Sequence, residues 1–156
     1  MAARLKNEVK QAVQSRDQML ALGIDYHPRS MQNLFEWVIY LKFLDKESPY
    51  FNQTHEIDVR IPVEYPFKHP TCKFNSKIFH PNIEADSGKI CLNIINEGNT
   101  EWTSANTIQM LALGLQSLVY GPNCDSPLNL DAGSIFRNGD SRAFKSLVNY
   151  YYKSCQ

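Results

Sequence analysis

Between residues 35 and 43 every second side chain is large and apolar: Phe35, Trp37, Ile39, Leu41 and Phe43. Successive side chains on a strand point to opposite faces, so this run predicts a strand with one face in a core. Ile57, Val59 and Ile61 repeat the alternation, and TCKFN at 71–75 offers a third short strand. The connections DKESPY and YPFKHP are short and proline-bearing, which suits an antiparallel meander of consecutive strands. Past residue 102 the period changes. Ile108, Leu111, Ala112, Leu115, Leu118 and Val119 fall at helical spacing, as do Phe144, Leu147, Val148 and Tyr151. Strands clustered first and helices last predict an α+β fold.

Leu5, Val9, Ala12 and Val13 make residues 3–16 a further amphipathic helix. The polar stretch DYHPRSMQN at 25–33 reads as a connection. Thr103 or Ser104 is the expected N-cap of the apolar helix, Asp140 or Ser141 that of the last one, and a short helix is expected over 130–136. No repeat or low-complexity tract divides the chain, so residues 1–156 are read as a single domain.

Sixteen basic residues balance sixteen acidic ones, so the charge gives no footprint for nucleic acid. The longest apolar runs are broken by Gln, Gly and Ser and fall short of the roughly 20 residues of a membrane span, so no direct membrane insertion is expected. The polar N-terminus lacks the apolar core of a secretion signal, which indicates a cytoplasmic protein. Cys72, Cys91, Cys124 and Cys155 are scattered, without a CxxC pair, and read as reduced thiols rather than metal ligands.

From Ile78 to about Trp102 no periodic element is visible, yet the stretch is rich in Ile, Leu and Cys. An irregular segment of that length in a compact domain is functional or disordered, and its apolar content argues against disorder. It contains Cys91, after Gly88 and the triplet His80-Pro81-Asn82. Cys91 is either a small buried residue or a nucleophile. His80, followed by Pro in a turn, suits a local backbone bond better than a general base. His27, His55 and His69 stand in polar or turn contexts and read as solvated. A Cys–His dyad for amide cleavage therefore does not emerge. Exchange between thioesters makes no such demand, because a thiol of pKa about 8.5 is already partly ionised near neutrality. When an amine later attacks the thioester, a side-chain amide such as Asn82 can face the oxyanion, although a local turn bond is an equal alternative for it. Asp125 or Ser126 is the candidate to orient the amine.

HPNIEADSGKICLNI, Trp102, the apolar helix after it and GPNCDSPLN, in that order, resemble the core signature of the ubiquitin-conjugating enzymes, as do YPFKHP and RLKNEV upstream. The resemblance covers nearly the whole chain. It implies a four-stranded antiparallel sheet with an N-terminal helix and C-terminal helices, and a cysteine that carries ubiquitin or a ubiquitin-like protein as a thioester. Position by position, the resemblance implies Cys91 as the thioester cysteine, Asn82 as the oxyanion or loop-ordering amide, His80 and Pro81 as the structural members of the triplet, and Ser126 as the residue gating the thioester. Pro66, Phe67, Trp102, Ser104 and Ala105 fall on the surface for a RING-type ligase. Arg4 falls on that for the activating enzyme. No cofactor is bound, since ATP is used upstream by the activating enzyme.

The sequence departs from the family pattern in places. Ser104 replaces the frequent Pro of WSPA, Asn93 the frequent Asp of CLDI, and Asn7 a frequent basic residue. The spacing from triplet to cysteine is one residue longer than the commonest. The C-terminal third, DSPLNLDAGSIFRNGDSRAFKSLVNYYYKS, is similar to the peroxisomal ubiquitin-conjugating peroxins. That branch implies recruitment to the cytosolic face of peroxisomes by a membrane anchor protein, and modification of the import receptor. A non-catalytic ubiquitin-binding relative is the alternative, and the retained Cys91 argues against it.

Overall fold

A computed structural model describes residues 2–90 and 102–154. The expectations attached to Cys91, Asn93 and Cys155 fall outside the described residues. Strands β1 (Ile24–Ser30), β2 (Asn33–Lys42), β3 (Thr54–Arg60) and β4 (Thr71–Phe74) form one antiparallel sheet in the order β1-β2-β3-β4. The register sets Tyr26 opposite Ile39, Ile39 opposite Ile57 and Ile57 opposite Phe74, so one apolar row crosses all four strands. Helices α1 (Ala2–Gln14), α2 (Arg16–Ala21), α3 (Ile108–Tyr120), α4 (Leu130–Arg137) and α5 (Ser141–Lys153) complete the fold.

The polar stretch at 25–33 is a strand over most of its length, not a connection. Ile24 and Tyr26 point inward and are buried, while Asp25, His27 and Arg29 alternate outward. Pro28 is tolerated because β1 is an edge strand, and the register slips between Pro28 and Ser30.

Alternation also corrects the reading of His55. It shares a face with Ile57 and Val59 and is 0% exposed. Its Nδ1 lies 2.8 Å from the Ser76 hydroxyl and its Nε2 3.1 Å from the Gln53 side-chain oxygen. Burial pushes its pKa down to about 4.

The inner face of the sheet packs with α3, whose Ile108, Leu111, Ala112, Leu115, Leu118 and Val119 are buried. Each large apolar side chain so enclosed contributes about 1.5–3 kcal/mol. The helix starts later than expected. Thr107, not Thr103 or Ser104, is the N-cap, and its hydroxyl accepts the Met110 N–H at 3.2 Å. Asn129 and Asp140 cap α4 and α5 in the same way. The N-terminal helix expected over 3–16 gives way to α2 after Ser15, whose hydroxyl donates back to the Gln11 carbonyl at 2.9 Å.

On the outer face, Arg29 reaches across β2 to the carboxylates of Glu56 and Asp58 on β3. Val38, opposite His27 and Asp58, is only 1% exposed on that face. Among the described residues no helix is long and apolar enough to cross a membrane.

Candidate active site

The segment after β4 is fixed by buried polar bonds rather than by regular structure. Tyr50 donates its hydroxyl to the Phe79 carbonyl at 2.7 Å. His80 is fully buried, with Nε2 3.1 Å from the Leu118 carbonyl on α3 and Nδ1 accepting the Asn82 N–H at 3.0 Å. Those partners assign the ring proton to Nε2. Burial pushes the His80 pKa down to about 3, so the ring is neutral and both nitrogens are engaged. Through these two bonds the ring links this segment to α3.

Pro81 and Asn82 tie this segment to the loop between α3 and α4. The Pro81 carbonyl accepts the N–H groups of Leu128 and Asn129 at 2.8 and 3.0 Å. Asn82, 0% exposed, donates Nδ2 to the Asn123 carbonyl at 2.5 Å and accepts the Asn123 N–H on Oδ1 at 2.8 Å. Asn82 thus bonds across to a second loop, not within its own turn. The two ties bracket residues 124–127, leaving Asp125 and Ser126 exposed between them. Asn123 in turn accepts the Asp125 N–H on its side-chain oxygen at 2.7 Å. Close packing closes the far end: a Cβ on Gly133 would lie 2.8 Å from the Pro127 ring. Cys124 is half-buried, and burial raises its thiol pKa.

Past the triplet the chain turns over 84–89 and returns. Gly88 takes φ +69°, and a Cβ there would stand 2.1 Å from the Phe74 carbonyl oxygen, which only glycine avoids. The return strand makes antiparallel bridges from Lys89 to Lys73 and from Ile90 to Ile83. Asn82 precedes one member of the second bridge, and Cys91 follows the other in the sequence.

At the other end of the sheet, the loop of Pro66 and Phe67 meets the segment starting at Trp102. The Trp102 indole donates to the Pro66 carbonyl at 2.7 Å, and its ring packs 6.0 Å from that of Tyr65. Phe67 is 82% exposed, and Ser104 and Ala105 are exposed. Arg4 on α1 donates to the carbonyls of Ser104 and Asn106 at 3.1 and 2.6 Å.

A family model described as ubiquitin-conjugating enzyme matches residues 4–152. The chain belongs to the ubiquitin-conjugating enzymes. It is 38% identical over 97% of its length to ubiquitin-conjugating enzyme E2 pex4 of Dictyostelium discoideum, covering 96% of that protein. It is 36% identical over 76% of its length to Protein PEROXIN-4 of Arabidopsis thaliana, covering 73% of it. Among solved structures, H. polymorpha Pex4p in complex with the soluble domain of Pex22p superposes with a TM-score of 0.85 at 27% identity, over 97% of this chain and 96% of that one. Peroxin-4 proteins thus stand among the most similar relatives, in keeping with the similarity of the C-terminal third.

For a ubiquitin-conjugating enzyme, a thioester-forming transferase, the geometry separates two groups of the expected residues. His80, Pro81, Asn82 and the loop of Ser126 form one bonded unit beside Ile90. Pro66, Trp102, Ser104 and Arg4 form another, with Phe67 at its surface.

Sequence reasoning passed over Glu8, the carboxylate that joins this second group to the core. It is 2% exposed and lies on the buried stripe of α1 between Leu5 and Ala12. Its Oε1 accepts from Arg4 Nε at 2.8 Å and from the Tyr65 hydroxyl at 2.6 Å. Its Oε2 accepts the Ile108 N–H at 3.0 Å, one of the unpaired donors at the start of α3. The i,i+4 spacing of Arg4 and Glu8 is the one signal in the sequence that could have found it.

Proposed function

We propose that Cys91 receives ubiquitin as a thioester from an activating enzyme and passes it to an acceptor on the peroxisomal import receptor, with the help of a RING-type ligase. The Cys91 thiolate attacks the thioester carbonyl on the activating enzyme and expels that enzyme's thiolate. An acceptor amine then attacks the Cys91 thioester, forms an amide, loses a proton to solvent or a nearby base, and releases the Cys91 thiolate. A cysteine acceptor would instead yield a new thioester. The chain itself binds no cofactor in this scheme, and ATP is consumed by the activating enzyme.

One observation carries the reading: the Pro81 and Asn82 ties order the Asp125–Ser126 loop beside the segment that leads into Cys91. In this scheme Asn82 holds the loop and faces the developing oxyanion, and Ser126 gates the approach of the acceptor. Pro66, Phe67, Trp102, Ser104 and Ala105 receive the ligase, and Arg4 contributes to docking of the activating enzyme. The names of the peroxin-4 relatives support a peroxisomal setting. The relative solved with the soluble domain of Pex22p supports recruitment by an anchoring protein partner.

Incubation with ubiquitin, activating enzyme and ATP should give an adduct that a reducing thiol removes and that Cys91→Ala abolishes. An adduct that persists in Cys91→Ala would overturn the assignment. The same assay against a panel of ubiquitin-like proteins identifies the modifier.

A further inference from the structure

Outside the unit just described, a groove of about 550 Å³ runs along the outer edge of the sheet between β3, β4 and the return strand. Arg60, His69, Thr71, Lys73, Lys89 and Ile90 line it. The chain as a whole carries sixteen cationic and sixteen anionic residues, so three full positive charges in one groove are a local concentration, not the general character of the surface. Lys73 and Lys89 are direct partners in an antiparallel bridge. Side chains so opposed stand about 4.5–5.5 Å apart at Cβ, where like charges disfavour the folded chain.

Neither lysine is neutralised from within the described residues, where neither forms an ion pair. Asp58 stands opposite Lys73 in the register and also lines the groove, but its carboxylate is taken by Arg29. An arrangement that works against folding, and that no ion pair among the described residues offsets, points to an anion. Ile90, one of the lining residues, is the residue before Cys91 in the chain.

We propose that this groove binds acidic side chains flanking the acceptor residue of the polypeptide to be modified, with Lys73, Lys89 and Arg60 as the cations that read them. The inference rests on the reading of Cys91 as the thioester site, because that reading brings an acceptor segment to the residue that follows Ile90. Charge complementarity selects the occupant: a polypeptide with Glu or Asp beside its acceptor. The groove would make the enzyme selective among acceptors where the thioester chemistry itself is indifferent.

Three fluorescein-labelled ten-residue peptides test this, each with one central Lys, flanked by Glu, by Gln or by Arg. Anisotropy with the full-length, uncharged protein measures binding, and single-turnover discharge of the ubiquitin thioester measures transfer. The Glu peptide should bind and react about tenfold better than the Gln peptide, as expected for a few partly exposed charge contacts. In Lys73→Glu and Lys89→Glu the ratio should fall towards one and the Arg peptide should become the preferred acceptor, an inversion that a merely structural defect would not give. Lys46→Glu, on the turn between β2 and β3, should keep the wild-type ratio.

If Cys91 is charged but discharges to all three peptides at equal rates, the groove proposal is overturned and the thioester reading stands. Equal binding of the Glu and Gln peptides overturns it as well. Selective binding of the Glu peptide by a protein that never forms the thioester supports the groove and overturns the reading of Cys91.

Discussion

Asn82 and Asn123 are joined twice, one side-chain amide giving its N–H to a backbone carbonyl and taking the backbone N–H of the same residue. Both bonds are lost in Asn82→Ala. Losing two such bonds at about 1–3 kcal/mol each gives an expected total of about 2–6 kcal/mol in urea titration. Amide exchange over 123–129 should accelerate in the same variant. Thioester discharge to lysine should slow by about 10²-fold or more, from a lost oxyanion donor and a loosened loop. Wild-type exchange rates in that loop would show that the pair is not what orders it.

His55 and His80 are both held neutral by burial, at about 4 and about 3 against an ordinary 6.5. Between those folded values and 6.5 the unfolded chain binds more protons than the folded one, so stability rises with pH across that window. The stabilisation is complete above about 6.5 and is lost as pH falls toward 4. His55 alone accounts for about 3 kcal/mol of that loss, since each tenfold difference in proton affinity between the folded and unfolded chain is worth about 1.4 kcal/mol. Urea midpoints should be level from pH 7.5 to about 6.5 and fall from there to 4.5, and His55→Gln, less stable at neutral pH, should show a shallower fall. A flat wild-type profile would contradict the assignment of both rings.

Glu8 answers three donors from three parts of the chain. Its removal in Glu8→Ala leaves the Arg4 guanidinium without its counter-ion and the Tyr65 hydroxyl and Ile108 N–H without acceptors. The expected cost is about 3–5 kcal/mol, the range for breaking a buried pair from one side. Glu8→Gln keeps one acceptor and should lose about half as much. Thermal unfolding of the two variants distinguishes this clasp from a surface ion pair, for which both losses would stay below about 1 kcal/mol.

Gly88 and Gly139 take the same backbone conformation, at φ +69° and +70°, in different surroundings. Gly88 faces the Phe74 carbonyl, while nothing lies within 4 Å of a Cβ at Gly139. Gly139→Ala should therefore cost only the strain of that conformation, about 1 kcal/mol, and Gly88→Ala clearly more, because backbone must move. Similar losses in the two denaturation curves would argue that the turn at 84–89 yields freely.

Periodicity made most of this fold legible, and its failures have physical causes. β1 is hidden in the sequence because only Ile24 and Tyr26 of its seven residues are buried, and the neighbours between and after them are largely polar. His55 was misread by residue type when its register with Ile57 and Val59 already placed it inside. The cap of α3 moved from Thr103 to Thr107 because Thr103 bonds Asn106 instead, and because Glu8, distant in sequence, meets the helix at Ile108. At the site, residue types suggested what Asn82 can do. Its partner Asn123 is a tertiary fact, which no local pattern encodes.

The Arg4 guanidinium has a broader consequence. Its N–H groups point at Glu8 and at two carbonyls of the 104–106 turn, and its charge rests 5.5 Å above the Tyr65 ring. A docking protein that recruits this cation with its own carboxylates must compete with every one of those internal acceptors. Success would release the turn that presents Ser104 and Ala105. The first helix and the turn that presents Ser104 and Ala105 are therefore mechanically one piece, and a pull on Arg4 is felt at both.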